Sequence, residues 1–199
     1  MTPMLHTLAA PFQHSEEIRK SRFLAQAAPM ATPQQALAYV QQVSDGSATH
    51  NCWAYRIGQD YRFNDDGEPG GTAGRPILQA IEGQGIDRAV VVVTRWYGGI
   101  KLGAGGLVRA YGGTAAECLR LAERTPIVAM ARLGMRCEFA ELALMKARLK
   151  ELGVVFEQES FEADGVMLQL QLPEARVDEA KARIVDISRG RSEGRVLDG

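Results

Sequence analysis

The sequence from Thr94 to Tyr111 reads TRWYGGIKLGAGGLVRAY, and it decides how the first half of this chain folds. It continues the apolar, β-branched run 89–94, which is typical of a strand covered on both faces. Glycines dominate residues 96–106, and the apolar spacing of residues 107–123 then predicts a helix that contains Gly112 and Gly113. We expect these glycines to let the helix pack closely on a sheet.

The same segment carries chemistry that suits an anion. Backbone N–H groups at the start of such a helix favour negative charge, and Arg95, Lys101 and Arg109 add positive charge with no acid between them. Three aromatic residues, Trp96, Tyr97 and Tyr111, offer faces on which a base could stack. The segment is neither a P-loop nor a dinucleotide-binding fingerprint. The alternative is that the glycines serve tight packing and the cations are solvated or paired.

Residues 48–55 place a thiol beside an imidazole. In a strand, His50 and Cys52 point to one face, while Trp53 and Tyr55 point to the other. His50 and Cys52 are therefore candidate catalytic residues, as a base with its nucleophile. The alternative is a buried cysteine near a hydrogen-bonded histidine.

Residues 65–74 hold three carboxylates and four glycines. Asp65, Asp66 and Glu68 are candidate ligands of Mg²⁺ or Ca²⁺, although their spacing is not that of an EF-hand loop. The alternative is a structural loop in which Thr72 caps a helix over residues 75–82.

The remaining pattern predicts an α+β protein of two domains, residues 1–126 and 127–199. Thr125-Pro126 marks the boundary, and cleaner periodicity follows it. Strands over 131–138, 154–161 and 166–172 alternate with helices around 142–152 and 177–187, and a short strand follows near 195–197. This order, βαββα(β), predicts a ferredoxin-like second domain.

Composition excludes several classes of protein. The chain has 199 residues, 46% of them hydrophobic, a net charge of −1 and three cysteines without a CxxC pair. A packed core is expected, whereas a generally basic nucleic-acid binder, a disulfide framework and a cysteine-rich zinc site are not. No signal peptide and no long apolar run occur, so we expect a cytoplasmic protein with no membrane contact and no cofactor.

Four separated motifs resemble the IMPACT (YigZ) family in its bacterial two-domain form. They are Lys20-Ser21-Arg22-Phe23 and residues 48–55, 65–74 and 93–111. The resemblance implies an N-terminal ribosomal-protein-like α/β sandwich, like domain IV of elongation factor G, followed by a ferredoxin-like βαββα domain. Eukaryotic members of the family regulate translation initiation by competing for the activator of a kinase. The resemblance implies RNA, the ribosome or a protein of the translation apparatus as partner, and it implies no catalytic residues.

Three hypotheses follow. The first is a translation-associated module that binds RNA or the ribosome, and it is favoured over catalysis. Its candidate nucleic-acid or anion-binding residues are His50, Arg75, Arg95, Trp96, Tyr97, Gly98, Gly99, Lys101, Gly103, Gly105, Gly106 and Arg109. The second is an enzyme acting on a small phosphorylated or acyl substrate. The third is a protein-interaction module that uses the same face.

Overall fold

The computed structural model describes residues 5–197, and the chain divides between Ile127 and Val128 into two compact units. Within the described residues, no helix is both long enough and apolar enough to cross a bilayer.

The first unit is a five-stranded antiparallel sheet with helices on both faces. Its strands are β1 (His6–Leu8), β2 (Phe12–Ile18), β3 (Ser21–Pro29), β4 (His50–Ile57), β5 (Asp60–Asn64), β6 (Ala89–Trp96) and β7 (Arg124–Pro126). Its helices are α1 (Pro33–Val43), α2 (Gly74–Gly83) and α3 (Gly103–Leu121). The sheet order is β2-β3-β6-β4-β5, and β1 pairs separately with β7.

Strand β6 lies at the centre of this sheet, and each residue from 89 to 95 is buried. Val91 and Val93 belong to a core formed with α2 and α3, whereas Val90 and Val92 pack in a second core with α1. The prediction of a strand covered on both faces is therefore confirmed. The predicted alternation of β4 is confirmed as well, because Cys52 lies in the first core and Trp53 in the second.

Three local expectations need correction. Helix α3 begins at Gly103, four residues earlier than its apolar spacing suggests. Gly112 packs against Pro76 of α2, where a Cβ atom would meet the proline side chain at 3.4 Å, rather than against the sheet. Thr72 does not cap α2, since its hydroxyl donates to the carbonyl of Pro69.

The second unit is a four-stranded antiparallel sheet with two helices. Its elements are β8 (Met130–Cys137), α4 (Phe139–Lys150), β9 (Val155–Phe161), β10 (Val166–Pro173), α5 (Val177–Ser188) and β11 (Arg195–Val196). The strand order is β11-β8-β10-β9. Alternate residues of β8 and β10, among them Met135 and Leu168, form the core with Met145 of α4 and Ile184 of α5. The element order predicted from the sequence is confirmed.

Candidate functional site

The glycines between β6 and α3 are there for conformational reasons. A Cβ atom at Gly98 would lie 1.9 Å from the carbonyl oxygen of Lys20, in the turn between β2 and β3. Gly99 and Gly103 have φ values of +90° and +74°, which other residues rarely adopt. Gly98 thus allows the loop to pack against the β2–β3 turn, and Gly99 and Gly103 allow its backbone conformation. The packing role of Gly98 is the alternative raised by the sequence.

A cleft of about 470 Å³ opens beside this loop. Its walls come from the edge of the sheet where β4 begins and β6 ends, from the loop 65–74 and from the start of α3. The side chains that determine its chemistry are those of His50, Glu68, Pro69, Tyr97, Lys101 and Leu107.

The inner wall of the cleft is a buried ion pair between Arg95 and Glu68. Their side chains are only 6% and 4% exposed, and Nη1 of Arg95 lies 2.6 Å from Oε1 of Glu68. The Tyr111 hydroxyl donates to the same oxygen at 2.6 Å, and the Arg95 guanidinium donates to the Ser21 hydroxyl at 3.3 Å. The ring of Phe23 lies 5.6 Å from that guanidinium. No buried side-chain polar atom of this group lacks a hydrogen-bond partner, so the buried part of the network is satisfied.

This network corrects two predictions. Arg95 does not contribute a free positive charge, because Glu68 neutralises it inside the protein. Tyr111 offers no stacking face, because it is completely buried. Burial also raises the pKa of Tyr111 above its ordinary value, so its hydroxyl stays protonated and acts as a donor.

His50 stands on the wall of the cleft in a fixed orientation. Its Nδ1 lies 2.7 Å from the carbonyl oxygen of Asp66, and because a carbonyl only accepts, we assign the proton to Nδ1. The loop closes on the ring at Gly67, where a Cβ atom would lie 3.4 Å from Nδ1. Nε2 lies 3.7 Å from Oε1 of Glu68, which is too long for a hydrogen bond. This nitrogen therefore remains available to a ligand.

Cys52 points away from the cleft and into the core. Its side chain is fully buried, and its thiol donates to the carbonyl of Asp65 at 3.0 Å. Burial raises the pKa of the thiol to about 12, so the nucleophilic thiolate is suppressed at neutral pH. The structure thus places His50 on the cleft and Cys52 beneath it. This arrangement matches the alternative hypothesis, a buried cysteine near a hydrogen-bonded histidine.

The three carboxylates of the loop 65–74 each serve the protein itself. Asp65 accepts from the backbone N–H groups of Gly71, Ala73 and Gly74, and thereby supplies the start of α2 with the cap expected from Thr72. Asp66 accepts from the backbone N–H of Asn51 at 2.7 Å. No group of three metal-binding side chains occurs in residues 5–197. The metal hypothesis therefore has no geometric support there, and the loop is a structural one.

Exposed cations surround the glycine loop. We call this set the basic surface, and it consists of Arg19, Lys20, Lys101 and Arg109. None of the four forms an ion pair within the part of the chain that the structure describes.

Contacts bring these cations together around the loop. Arg19 and Arg109 line a depression of about 260 Å³ that shares Leu102 with the cleft, and Lys20 lies against Gly98. Two of the four cations of the basic surface come from the turn 19–20, which sequence reasoning did not select as a site. The only signal for them was their place in or beside the motif at Lys20.

Arg22 is exposed as well but lies on the opposite face of the sheet, because it pairs with Trp96 in β6 whereas Arg95 faces the cleft. Its guanidinium lies 4.6 Å from the centre of the half-buried Trp96 ring.

The other candidates are partly brought together. Tyr97 and Lys101 line the cleft, Gly106 lines the smaller depression, and Gly105 lies close to the guanidinium of Arg109. Arg75 is exposed in the first turn of α2 and lines neither cavity.

Known protein families match both units of the chain. Residues 19–119 match the model of the Impact N-terminal domain, and residues 135–191 match a domain of unknown function, DUF1949. An IMPACT family member of Thermus thermophilus is 50% identical over 156 residues, which cover 78% of this chain and 86% of that protein. The IMPACT family member YigZ of Escherichia coli is 38% identical over 189 residues, 92% of each chain. A crystal structure described as a hypothetical protein covers 100% of this chain and 99% of its own at 35% identity, with a TM-score of 0.74.

Proposed function

The chain belongs to the IMPACT family, and on that premise we propose that it is a translation-associated protein whose first unit binds RNA through the basic surface. The observation that carries the proposal is the set of four exposed, unpaired cations around a loop whose conformation is fixed by glycine. The near-neutral net charge does not oppose it, because the cations are concentrated in one place.

The expected binding is electrostatic and sequence-tolerant. Cations that contact phosphates release counterions, so affinity falls with salt. If all four cations contact a single-stranded RNA, the logarithm of the affinity should fall with the logarithm of salt concentration with a slope of about −2.8. Phosphate contacts of this kind position a nucleic acid without reading its sequence.

The proposal also includes a finer assignment of the fold. We propose that the first unit is ribosomal-protein-like, similar to domain IV of elongation factor G, and that the second is ferredoxin-like. In the second unit, the strand order β11-β8-β10-β9 is that of a ferredoxin-like sheet, with its last strand beside its first. We place the boundary between these domains after residue 126.

The test is co-sedimentation with ribosomes and with naked structured RNA across a salt series. The variant Lys101→Glu/Arg109→Glu reverses two cations of the basic surface. Arg95 is unsuitable for charge reversal, because a carboxylate there would be buried against Glu68. A matched control, Arg88→Glu/Arg120→Glu, makes the same charge change elsewhere. Arg88 lies at the opposite end of β6, and Arg120 lies on α3 about 25 Å from its start.

Salt-sensitive binding that the surface variant loses and the control retains supports the proposal. Equal affinity of the wild type and the surface variant would refute it. So would a folded wild-type protein that binds neither ribosomes nor RNA at low salt.

A protein partner is the second candidate, because Ile100 and Val108 are 40% and 39% exposed on the same loop and helix. Such a partner would be retained at high salt, since apolar contacts are not screened. Binding that requires a protein fraction and resists salt would favour this candidate over RNA.

A further inference from the structure

We propose that the cleft receives one unstacked nucleotide, with its base against Tyr97 and its phosphate at Lys101, so that the protein prefers single-stranded to duplex RNA. This inference rests on the proposed function, since it assumes that the neighbouring basic surface binds RNA. It adds a binding site and a class of ligand that phosphate contacts alone do not specify.

The size of the cleft suits a single nucleotide. Its volume of about 470 Å³ lies within the range of small-molecule pockets, about 300–1,000 Å³. Pro69, Leu102 and Leu107 give it an apolar lining against which a base can be desolvated. A base inside a duplex is stacked and paired, and it can enter a concave site only after it has been extruded.

Tyr97 is prepared as a stacking platform. Its side chain is 46% exposed, and its ring centre lies 5.4 Å from the guanidinium carbon of Arg95. Because the ion pair with Glu68 holds the Arg95 guanidinium in place, the group against which the Tyr97 ring lies is fixed. The backbone N–H of Tyr97 also donates to the Thr49 hydroxyl at 2.9 Å. A ring positioned in advance loses little conformational freedom when a base stacks on it.

The polar side of the cleft favours an anion. Lys101 and Arg95 contribute two positive charges and Glu68 one negative charge, so the lining carries a formal charge of +1 while His50 is neutral. Lys101 is exposed and has no ion-pair partner within residues 5–197, so it is free for a phosphate. Nε2 of His50 can accept a hydrogen bond from a sugar hydroxyl. An aromatic base and a phosphate in one ligand describe a nucleotide.

The cleft is also continuous with the surface that would hold the rest of the strand. Leu102 lines both the cleft and the depression formed by Arg19 and Arg109. A strand whose phosphates follow these two cations therefore passes the mouth of the cleft, where one base can turn inward.

The experiment uses the full chain and two probes. The first probe is a short unstructured RNA oligonucleotide that carries a single 2-aminopurine, and the second is the same oligonucleotide annealed to its complement. The variants are Tyr97→Ala, which removes the ring, and Tyr97→Phe, which keeps it. Affinities are measured at one low salt concentration, and circular dichroism confirms that each variant is folded.

We expect the wild type to bind the single strand at least about fivefold more tightly than the duplex, because one stacked base contributes about that factor or more. Tyr97→Ala should lose affinity for the single strand and with it the preference, whereas Tyr97→Phe should retain both. The fluorescence of 2-aminopurine should be quenched by the wild type and by Tyr97→Phe.

Equal salt-sensitive binding of both probes by the wild type would overturn the nucleotide site and leave RNA binding by the basic surface intact. An equal loss of both probes in Tyr97→Ala would overturn it as well. Binding of neither probe would refute the proposed function, and the nucleotide site with it.

Discussion

Removing one partner of the buried pair Arg95–Glu68 should strongly destabilise the first unit. The variant Glu68→Gln keeps the shape of the side chain but removes its charge, which leaves the Arg95 cation 6% exposed and uncompensated. Removing one partner of a buried pair costs about 3–5 kcal/mol, because the remaining charge stays desolvated. Domains are typically stable by about 5–15 kcal/mol, so this loss is a large share of the total.

Urea unfolding followed by tryptophan fluorescence measures this effect selectively. Both tryptophans, Trp53 and Trp96, lie in the first unit, so the signal is insensitive to the second. With a slope of about 1–3 kcal/mol per molar urea, the midpoint should fall by about 1 M or more. The double variant Glu68→Gln/Arg95→Met removes both charges, and we expect it to be more stable than Glu68→Gln alone.

A matched control is available in the same unit. Arg56 and Glu82 form a pair with the comparable distance of 2.7 Å, but their side chains are 34% and 41% exposed. Glu82→Gln should therefore cost less than about 1 kcal/mol, since exposed pairs contribute little. If Glu68→Gln destabilises the first unit no more than Glu82→Gln does, burial of the Arg95–Glu68 pair does not make the loss of one partner costly.

Three further predictions concern packing, thiol reactivity and titration. Gly98→Ala should destabilise the first unit by about 3 kcal/mol or more, because its Cβ atom would meet the backbone of Lys20, whereas Gly46→Ala, with nothing within 4 Å, should be nearly neutral in the same urea assay. Iodoacetamide should modify Cys52 in the native protein at pH 7 far more slowly than in denaturant, and equal rates would contradict its burial. Since burial raises the pKa of this thiol from 9.0 to about 12, its contribution to stability should be complete below pH 9.0 and be lost as the pH rises through about 12.

The sequence by itself determined the elements and the faces of the strands. Continuous β-branched residues identified β6, alternation separated Cys52 from Trp53, and helical spacing found α4 and α5. These signals succeed because the periods of helices and strands are local properties of the chain. Boundaries at glycine were less well predicted, as the early start of α3 shows, because φ values depend on the neighbours that the loop contacts.

Only the tertiary structure decided which of the charged and aromatic residues are free. Arg95 and Lys101 look alike in the sequence, but the fold buries Arg95 against Glu68 and leaves Lys101 exposed at the mouth of the cleft. Tyr97 and Tyr111 are separated in the same way, one at the cleft and the other in the core. Periodicity predicts the face on which a side chain lies, but the partner that neutralises it comes from a distant segment. The chemistry of the site therefore follows from packing between segments that the sequence keeps apart.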